Sequence, residues 1–537
     1  MRGTVPNGDR TTQLIDCTTH NVVHVAFQEG GLIVAAATTP ARPPGVADHE
    51  VVVIGAGFSG IGAGIQLKKA GIDSFVILEQ AGDIGGTWRD NTYPGVAVDI
   101  TSFTYSFSFE QNPDWSRVFA PGRELKAYAD HCADKYGLRP HLRLGTKLER
   151  MVFDSTRHLW VIQTPQGSLT ARFVISGTGA LTQPKLPAID GIDEFEGMIM
   201  HTARWDHGYD LTGKRVAVIG TGATGVQVIP ALAPIVEHLD VYQRTPIWIL
   251  PKPDAAIPPR LRHWFRRFPV VQRCFRMLTS ALTEILMTLG IVYNRQVPWL
   301  LRRIQRLCLD HLHRQVPDPE LRNKLTPQYR FGCKRPSFSD EYFPAFLRDN
   351  VKLITEPIDR ITRTGIETED GKRRPIDALI LATGFRVYEK GNLPPYEIFG
   401  SEGQELGRFW EEQRYQAYEG ATVPGFPNYF MVVGPYSASG SSWFSMVEAQ
   451  VAHALRCIRE AHRRRATLVE VKHEVHDRYF HRILRRQKNT VFFNNDCSGA
   501  NSYYFDRHGD APFLRPSSGL EMWWHSRHFD LDHYRFV

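Results

Sequence analysis

Cysteine is scarce and unpatterned in this chain. The 537 residues hold seven, an odd number, with no CxxC spacing. A disulfide framework or a zinc site is therefore not expected, and a reducing, cytoplasmic compartment is. No stretch of about 18 residues is apolar without interruption, so no transmembrane helix is expected. The first 47 residues lack a basic segment leading into a long apolar one, which argues against a secretory signal. Charge of one sign is not in large excess: 64 Lys and Arg against 57 Asp and Glu leave +7. That balance suits anionic small molecules and gives no reason to expect a nucleic-acid partner. Hydrophobic residues make up 42% of the chain, an ordinary globular share, and the length exceeds one core, so two or three domains are expected.

Two glycine fingerprints stand out. Gly55-Ala56-Gly57-Phe58-Ser59-Gly60 follows the apolar run at 51–54 and precedes a helical pattern over 61–70. Gly220-Thr221-Gly222-Ala223-Thr224-Gly225 follows a second strand pattern at 215–219 and opens another helical pattern over 226–232. Strand, glycine turn and helix together form a dinucleotide-binding unit: the glycines permit the tight turn and let the backbone approach a pyrophosphate at the helix N-terminus. Nineteen residues beyond the last glycine of each copy the charge differs. Glu79 follows the first and Arg244 the second. A carboxylate there accepts from a ribose 2′-OH, whereas a guanidinium suits a 2′-phosphate. One non-phosphorylated dinucleotide, FAD or NAD, and one NADP(H) are expected on the same chain, as needed to move electrons from NADPH to a flavin.

The fold class expected is α/β, with two nested Rossmann-like dinucleotide-binding domains, for FAD and NADP, and a helical insertion. Each domain is expected to be built from two separate segments. A mobile N-terminal extension (1–47) leads into the first FAD-domain segment (48–190) and a linker (191–211). The first NADP-domain segment (212–257), the insertion (258–327) and the second NADP-domain segment (328–385) follow. The second FAD-domain segment (386–537) closes the chain. A further buried strand at 377–382 ends in the turn Thr383-Gly384. In the insertion, Arg260, Arg262, Arg266, Arg267, Arg273 and Arg276 alternate with Trp264, Phe265, Phe268, Phe275, Met277 and Leu278. Such a pattern suits an anionic membrane through 260–290. The preferred reading is an excursion packed on the NADP domain, apolar face inward and arginines in solvent, since Glu284 interrupts the apolar run.

Between the fingerprints lies Phe195-Glu196-Gly197-Met198-Ile199-Met200-His201-Thr202-Ala203-Arg204-Trp205-Asp206, and upstream Gly85-Gly86-Thr87-Trp88 precedes Tyr93-Pro94-Gly95 and Asp99. These stretches resemble the FxGxxxHxxxW(P/D) and GGxWxxxxYPGxxxD signatures of type I Baeyer–Villiger monooxygenases. N- and S-oxidising flavin-containing monooxygenases share the FxGxxxH part but usually not the Trp-Asp ending, and they remain the alternative.

The resemblance implies that NADPH reduces FAD, that the reduced flavin traps O₂ as a C4a-peroxide, and that this attacks a ketone to give a tetrahedral adduct and then an ester or lactone. It implies Arg335 as the catalytic cation, in Phe331-Gly332-Cys333-Lys334-Arg335-Pro336, with Asp99 orienting it from the flavin side. Gly86, Thr87, Trp88 and Tyr105 are then expected around FAD, and Gln227, Thr245, Lys334, Thr383 and Gly384 among the remaining cofactor contacts, with Lys334 and Arg244 on the 2′-phosphate. His201 and Trp205 are expected to couple the domains. No metal is expected. In the C-terminal segment, where many relatives carry a tryptophan, this chain offers Tyr503 or Tyr504.

Overall fold

The computed structural model describes residues 46–389, 391–439 and 442–537, together with the backbone of a hairpin, Val25–Gln28 with Gly31–Val34. The expectation of a mobile extension over 1–47 falls almost wholly outside the described residues.

Two parallel sheets carry the two fingerprints. In the first, His49–Ile54 lies between Phe75–Leu78 and Gly167–Ser176, parallel to both. Val51, Val52 and Val53 are fully buried, as a central strand covered on both faces requires. The strands Arg150–Asp154, Leu159–Thr164 and Gly167–Ser176 form an antiparallel meander at its edge. Tyr429–Met431 adds to Gly167–Ser176, so the C-terminal portion of the chain returns to this sheet. The second sheet has five parallel strands in the order Met198–His201, Ala378–Leu381, Arg215–Ile219, His238–Tyr242 and Val351–Ile354. The stretch read as a linker thus supplies the edge strand of the second sheet. Where the chain crosses between the sheets it does so twice, side by side, and the crossings pair as Gln183–Pro184 with Phe385–Arg386.

The insertion is helical. Its helices Pro259–Arg267, Pro269–Met287, Pro298–Gln315 and Pro319–Leu325 each begin on a proline, where the missing N–H costs nothing. Its packing departs from the sequence expectation in two ways. The first half docks on the flavin-side core, not the NADP side: Phe265 is buried edge-on to Phe103. Only the second half, through Leu312, Val316 and Leu325, joins the core of the second sheet. And the apolar stripe of Pro269–Met287 faces outward, while Arg276 is buried and donates to the carbonyls of Phe103, Thr104 and Ser106. The stretch Pro269–Val292 is long and apolar enough to cross a membrane by length and composition, with 17% of it buried. Of the polar residues that interrupt it, Gln272 and Arg276 are buried and Arg273 is exposed.

A second correction concerns cysteine. Cys333 and Cys497, 164 residues apart, form a disulfide. Spacing could not reveal it, because the pair converges only when Phe331, Val491, Phe492 and Ala500 close one small core.

The segment that follows, 498–515, is held by a buried ion pair. Arg515 and Glu419 are 2% and 4% exposed, and His525 completes the contact at 3.1 Å. Arg515 also donates its N–H to Ala438 at 2.7 Å. Removing one member of such a pair strands a charge, so Arg515→Met is expected to cost about 3–5 kcal/mol. Chemical denaturation of the flavin-loaded protein checks this, and a change under about 1 kcal/mol would show the pair to be dispensable.

Candidate active site

The two glycine turns are built alike. Gly55 and Gly220 have φ of +93° and +109°, which favours glycine. A Cβ on Gly60 would lie 1.8 Å from the Gly55 carbonyl oxygen, and one on Gly225 would lie 2.4 Å from that of Gly220. Each third glycine therefore lets its helix start directly against its strand. Helices Phe58–Lys69 and Ala223–Leu232 start after Gly57 and Gly222 with no side-chain cap and no acidic residue in the first turn. The N–H groups of Phe58, Ser59 and Gly60, and of Ala223, Thr224 and Gly225, thus open two helix N-termini of the kind that receive a pyrophosphate.

Glu79 ends the strand Phe75–Leu78 and is buried beside the first turn. It accepts from the Ala56 N–H at 2.8 Å and the Ala81 N–H at 3.0 Å, and meets Arg89 at 3.1 Å. Arg244 follows the strand His238–Tyr242 and is exposed. Burial, then the neighbouring charge of Arg244, pushes Lys334 down to about 8. Among the described residues neither cation has a carboxylate within ion-pair distance. Two cations brought together without a counter-charge form a receptor for an anion, as the charge switch from Glu79 to Arg244 anticipates. Thr245 adjoins: its carbonyl accepts from Thr221 at 3.2 Å, and its hydroxyl from Asn501 at 2.8 Å.

The signature around Gly86 abuts the first turn. The Gly85 N–H donates to Ala56 at 2.9 Å, and a Cβ on Gly86, whose φ is +52°, would stand 3.0 Å from Gly57 Cα. Thr87 opens the short helix that carries Trp88, whose indole N–H reaches Tyr105 Oη at 3.3 Å. Farther along, Tyr93 Oη donates to Gln227 Oε1 at 2.8 Å, and Gln227 Nε2 donates to Ala97 at 3.0 Å. Burial raises the Tyr93 phenol to about 12, so it remains a donor. Gln227, expected as a cofactor contact, has both ends of its amide committed to bridging the two dinucleotide units.

Arg335 meets Asp99 through Nε at 2.8 Å and Nη2 at 2.7 Å. The two side chains are 35% and 31% exposed, so the pair is half-buried. The Asp99 carboxylate raises Arg335 further above its already high range, with smaller contributions from Tyr504 and Tyr503. Both tyrosines stand beside the guanidinium, their rings 4.8 Å apart and at 66°. The sequence left open which of the two serves; the fold brings both. The disulfide ties the residue before Lys334 to the segment carrying Asn501 and these tyrosines. The disulfide and the Asn501 contact were hidden in the sequence, because their partners lie more than 150 residues upstream.

His201 sits at the crossing between sheets. Its Nδ1 accepts from the Ala203 N–H and its Nε2 donates to Gly384, each at 3.1 Å, so the neutral ring carries its proton on Nε2. Burial lowers its pKa, consistent with a neutral ring. Thr383 donates to the Lys185 carbonyl on the companion crossing, and Trp205 packs at the edge of the second core. His201, Thr383 and Gly384 thus join the two crossings.

Comparison with known proteins agrees with this geometry. The family profile for pyridine nucleotide-disulphide oxidoreductases matches residues 52–281. A Baeyer–Villiger monooxygenase of Pseudomonas aeruginosa is 43% identical over 457 residues, covering 84% of this chain and 85% of that protein. One from Streptomyces coelicolor is 37% identical over 502 residues, covering 92% and 95%. The solved structure of OTEMO in complex with FAD and NADP matches with a TM-score of 0.80 at 28% identity, over 91% of this chain and all of that one. At such identity over so much of both chains, the protein belongs to the Baeyer–Villiger monooxygenases.

Proposed function

We propose that Arg335, oriented by Asp99, is the fixed positive charge that this enzyme uses to insert an oxygen atom beside a ketone carbonyl. The enzyme is a FAD- and NADPH-dependent monooxygenase, and its products are esters or lactones. When bound, FAD supplies oxygen activation and NADPH the electrons; the protein's work is binding, orientation and electrostatics. The observation that carries the reading is the Arg335–Asp99 pair, which joins the flavin-side signature to the NADP-side loop.

Arginine remains protonated at any working pH, so Arg335 acts as a cation and not as an acid. Asp99 limits its rotation. A guanidinium held in place stabilises negative charge as it develops on oxygen and needs little reorganisation to do so. Tyr503 and Tyr504 flank it with apolar ring faces and hydroxyl donors, which narrows access for water. On the nucleotide side, Arg244 and Lys334 grip the 2′-phosphate and Thr245 lies beside them. Gly55, Gly57 and Gly60, with Glu79, hold the FAD adenosine half. His201 and Trp205 couple the movements of the two units.

Arg335→Ala is expected to bind FAD and to be reduced by NADPH, but to lose about 10²–10³-fold in ester formation. Product analysis after incubation with a ketone and ¹⁸O₂ checks this, and retained esterification removes Arg335 from the mechanism. If the variant lost ester formation but still oxidised sulfides at full rate, the neutral heteroatom route would be shown to run without Arg335.

Arg244→Ala is expected to raise KM for NADPH by about 10- to 100-fold, the loss of one charged hydrogen bond, with little change for NADH. Equal changes for both would place Arg244 away from the 2′-phosphate. Lys334 gives a pH signature. Its free-state value of about 8 must rise when a phosphate dianion docks. NADPH binding should therefore take up a proton between roughly pH 8 and 10, and affinity should fall as pH rises through that window. Calorimetry in two buffers of different ionisation enthalpy measures the uptake, and Lys334→Gln should abolish it.

A further inference from the structure

The helix Pro269–Met287 is built inside out. Val270, Met277, Leu278, Leu282, Ile285 and Leu286 recur at three- and four-residue spacing, and all are exposed, Leu278 by 70%. The opposite face is polar and committed to the protein. Gln272 Nε2 donates to the Asn112 carbonyl at 2.6 Å, Arg276 donates to three carbonyls of the 103–106 segment, and Glu284 accepts from the Gly519 N–H. These bonds fix the roll of the helix. A surface helix of a globular protein normally does the reverse and buries its apolar stripe. The apolar area continues past the helix. Trp264 and Phe268 are exposed on the preceding turn, and Gly519, seated against Glu284, places exposed Leu520 alongside.

Charge specifies the occupant. Residues 255–309 contain ten arginines, no lysine, and one acidic residue, Glu284, which is turned inward. Arg260, Arg267 and Arg273 are exposed on the same two helices as the apolar stripe. An apolar stripe flanked by arginines, with Trp264 at its margin, combines what an interfacial helix needs: acyl-chain contact, attraction to anionic headgroups and an aromatic at the boundary. Although the length would allow crossing a bilayer, the inward bonds of Gln272, Arg276 and Glu284 tie one whole face to the folded body.

We propose that residues 259–289 are a membrane-docking surface that seats the enzyme on an anionic phospholipid bilayer, with the Pro269–Met287 helix lying in the plane of the interface. This surface is linked to the site through the chain: the carbonyls that Arg276 grips, at Phe103, Thr104 and Ser106, lie four to seven residues after Asp99.

The test is flotation of the full-length, flavin-loaded enzyme with vesicles. With equimolar phosphatidylglycerol and phosphatidylcholine the enzyme should float. It should bind at least tenfold more weakly to pure phosphatidylcholine, and more weakly to the mixed vesicles at high salt. Leu278→Glu combined with Leu282→Glu should reduce binding at least tenfold while leaving flavin content and ketone oxygenation in solution unchanged. If that variant fails to fold, Arg260→Gln with Arg267→Gln and Arg273→Gln serves in its place, with an expected loss on the order of a hundredfold on anionic vesicles only. An unmodified enzyme that does not float, or variants that float as well as it does, overturns the proposal. So does a sedimentation result in which the unmodified enzyme is a dimer, the Leu278→Glu, Leu282→Glu variant is a monomer, and neither binds vesicles; the face would then belong to a second copy of the chain.

Discussion

The ion pair between Arg335 and Asp99 is the constraint around which the rest is arranged. Its partners are 236 residues apart in the chain and sit on different dinucleotide units. A partly exposed salt bridge adds little to stability. It has to be placed by other contacts, and the structure supplies them in series. Gln227 clamps the first NADP-side helix to the segment leading to Asp99, through Tyr93 and Ala97. The Cys333–Cys497 bridge ties the loop before Arg335 to the C-terminal segment, and Arg515 with Glu419 holds that segment to the flavin-side body. Each contact removes a freedom that would otherwise let guanidinium and carboxylate drift apart.

Two short crossings, paired as one small ribbon, join the two sheets. His201 bonds to Ala203 beside it and to Gly384 at the start of one crossing, and burial lowers its pKa. A protonated ring there would have to donate at both nitrogens, and Nδ1 faces an N–H. The signature histidine is therefore a fixed acceptor and donor at once.

Much of this was legible in the sequence, for identifiable reasons. The two glycine turns could be read because their steric demand is local: only glycine fits where a Cβ would stand 1.8 Å or 2.4 Å from a carbonyl oxygen. The change from Glu79 to Arg244 could be read because the strand–turn–helix spacing is rigid. Arg335 could not be picked from composition; only resemblance to a family singled it out, and the contact with Asp99 then appeared at 2.8 Å. What stayed hidden was long-range. Gln227 lies one turn into a helix like many glutamines, and nothing near it announces Tyr93. Cys333 and Cys497 are unremarkable until a core of aromatic side chains brings them together. The edge strand Met198–His201 was read as linker because its partner, Ala378–Leu381, lies some 180 residues later.

The insertion shows most clearly how an amphipathic pattern can be read correctly and oriented wrongly. Period and composition identify a two-faced helix, but they do not say which face is inside. The usual assumption, that apolar residues turn inward, holds when the polar face has only water to bond. Here the polar face has better partners: backbone carbonyls at 103–106 and 112 and the N-terminus of a neighbouring helix. Arg276 satisfies several of these acceptors at once and loses its hydration in doing so, a trade that only a dense set of carbonyls makes favourable. Once those bonds are made the helix cannot roll, and its apolar stripe must face out. Left in water, that stripe would be a standing cost in solubility. Its arginine margin makes the cost recoverable at one kind of surface, which is why the inverted helix reads as a binding face and not as a packing error.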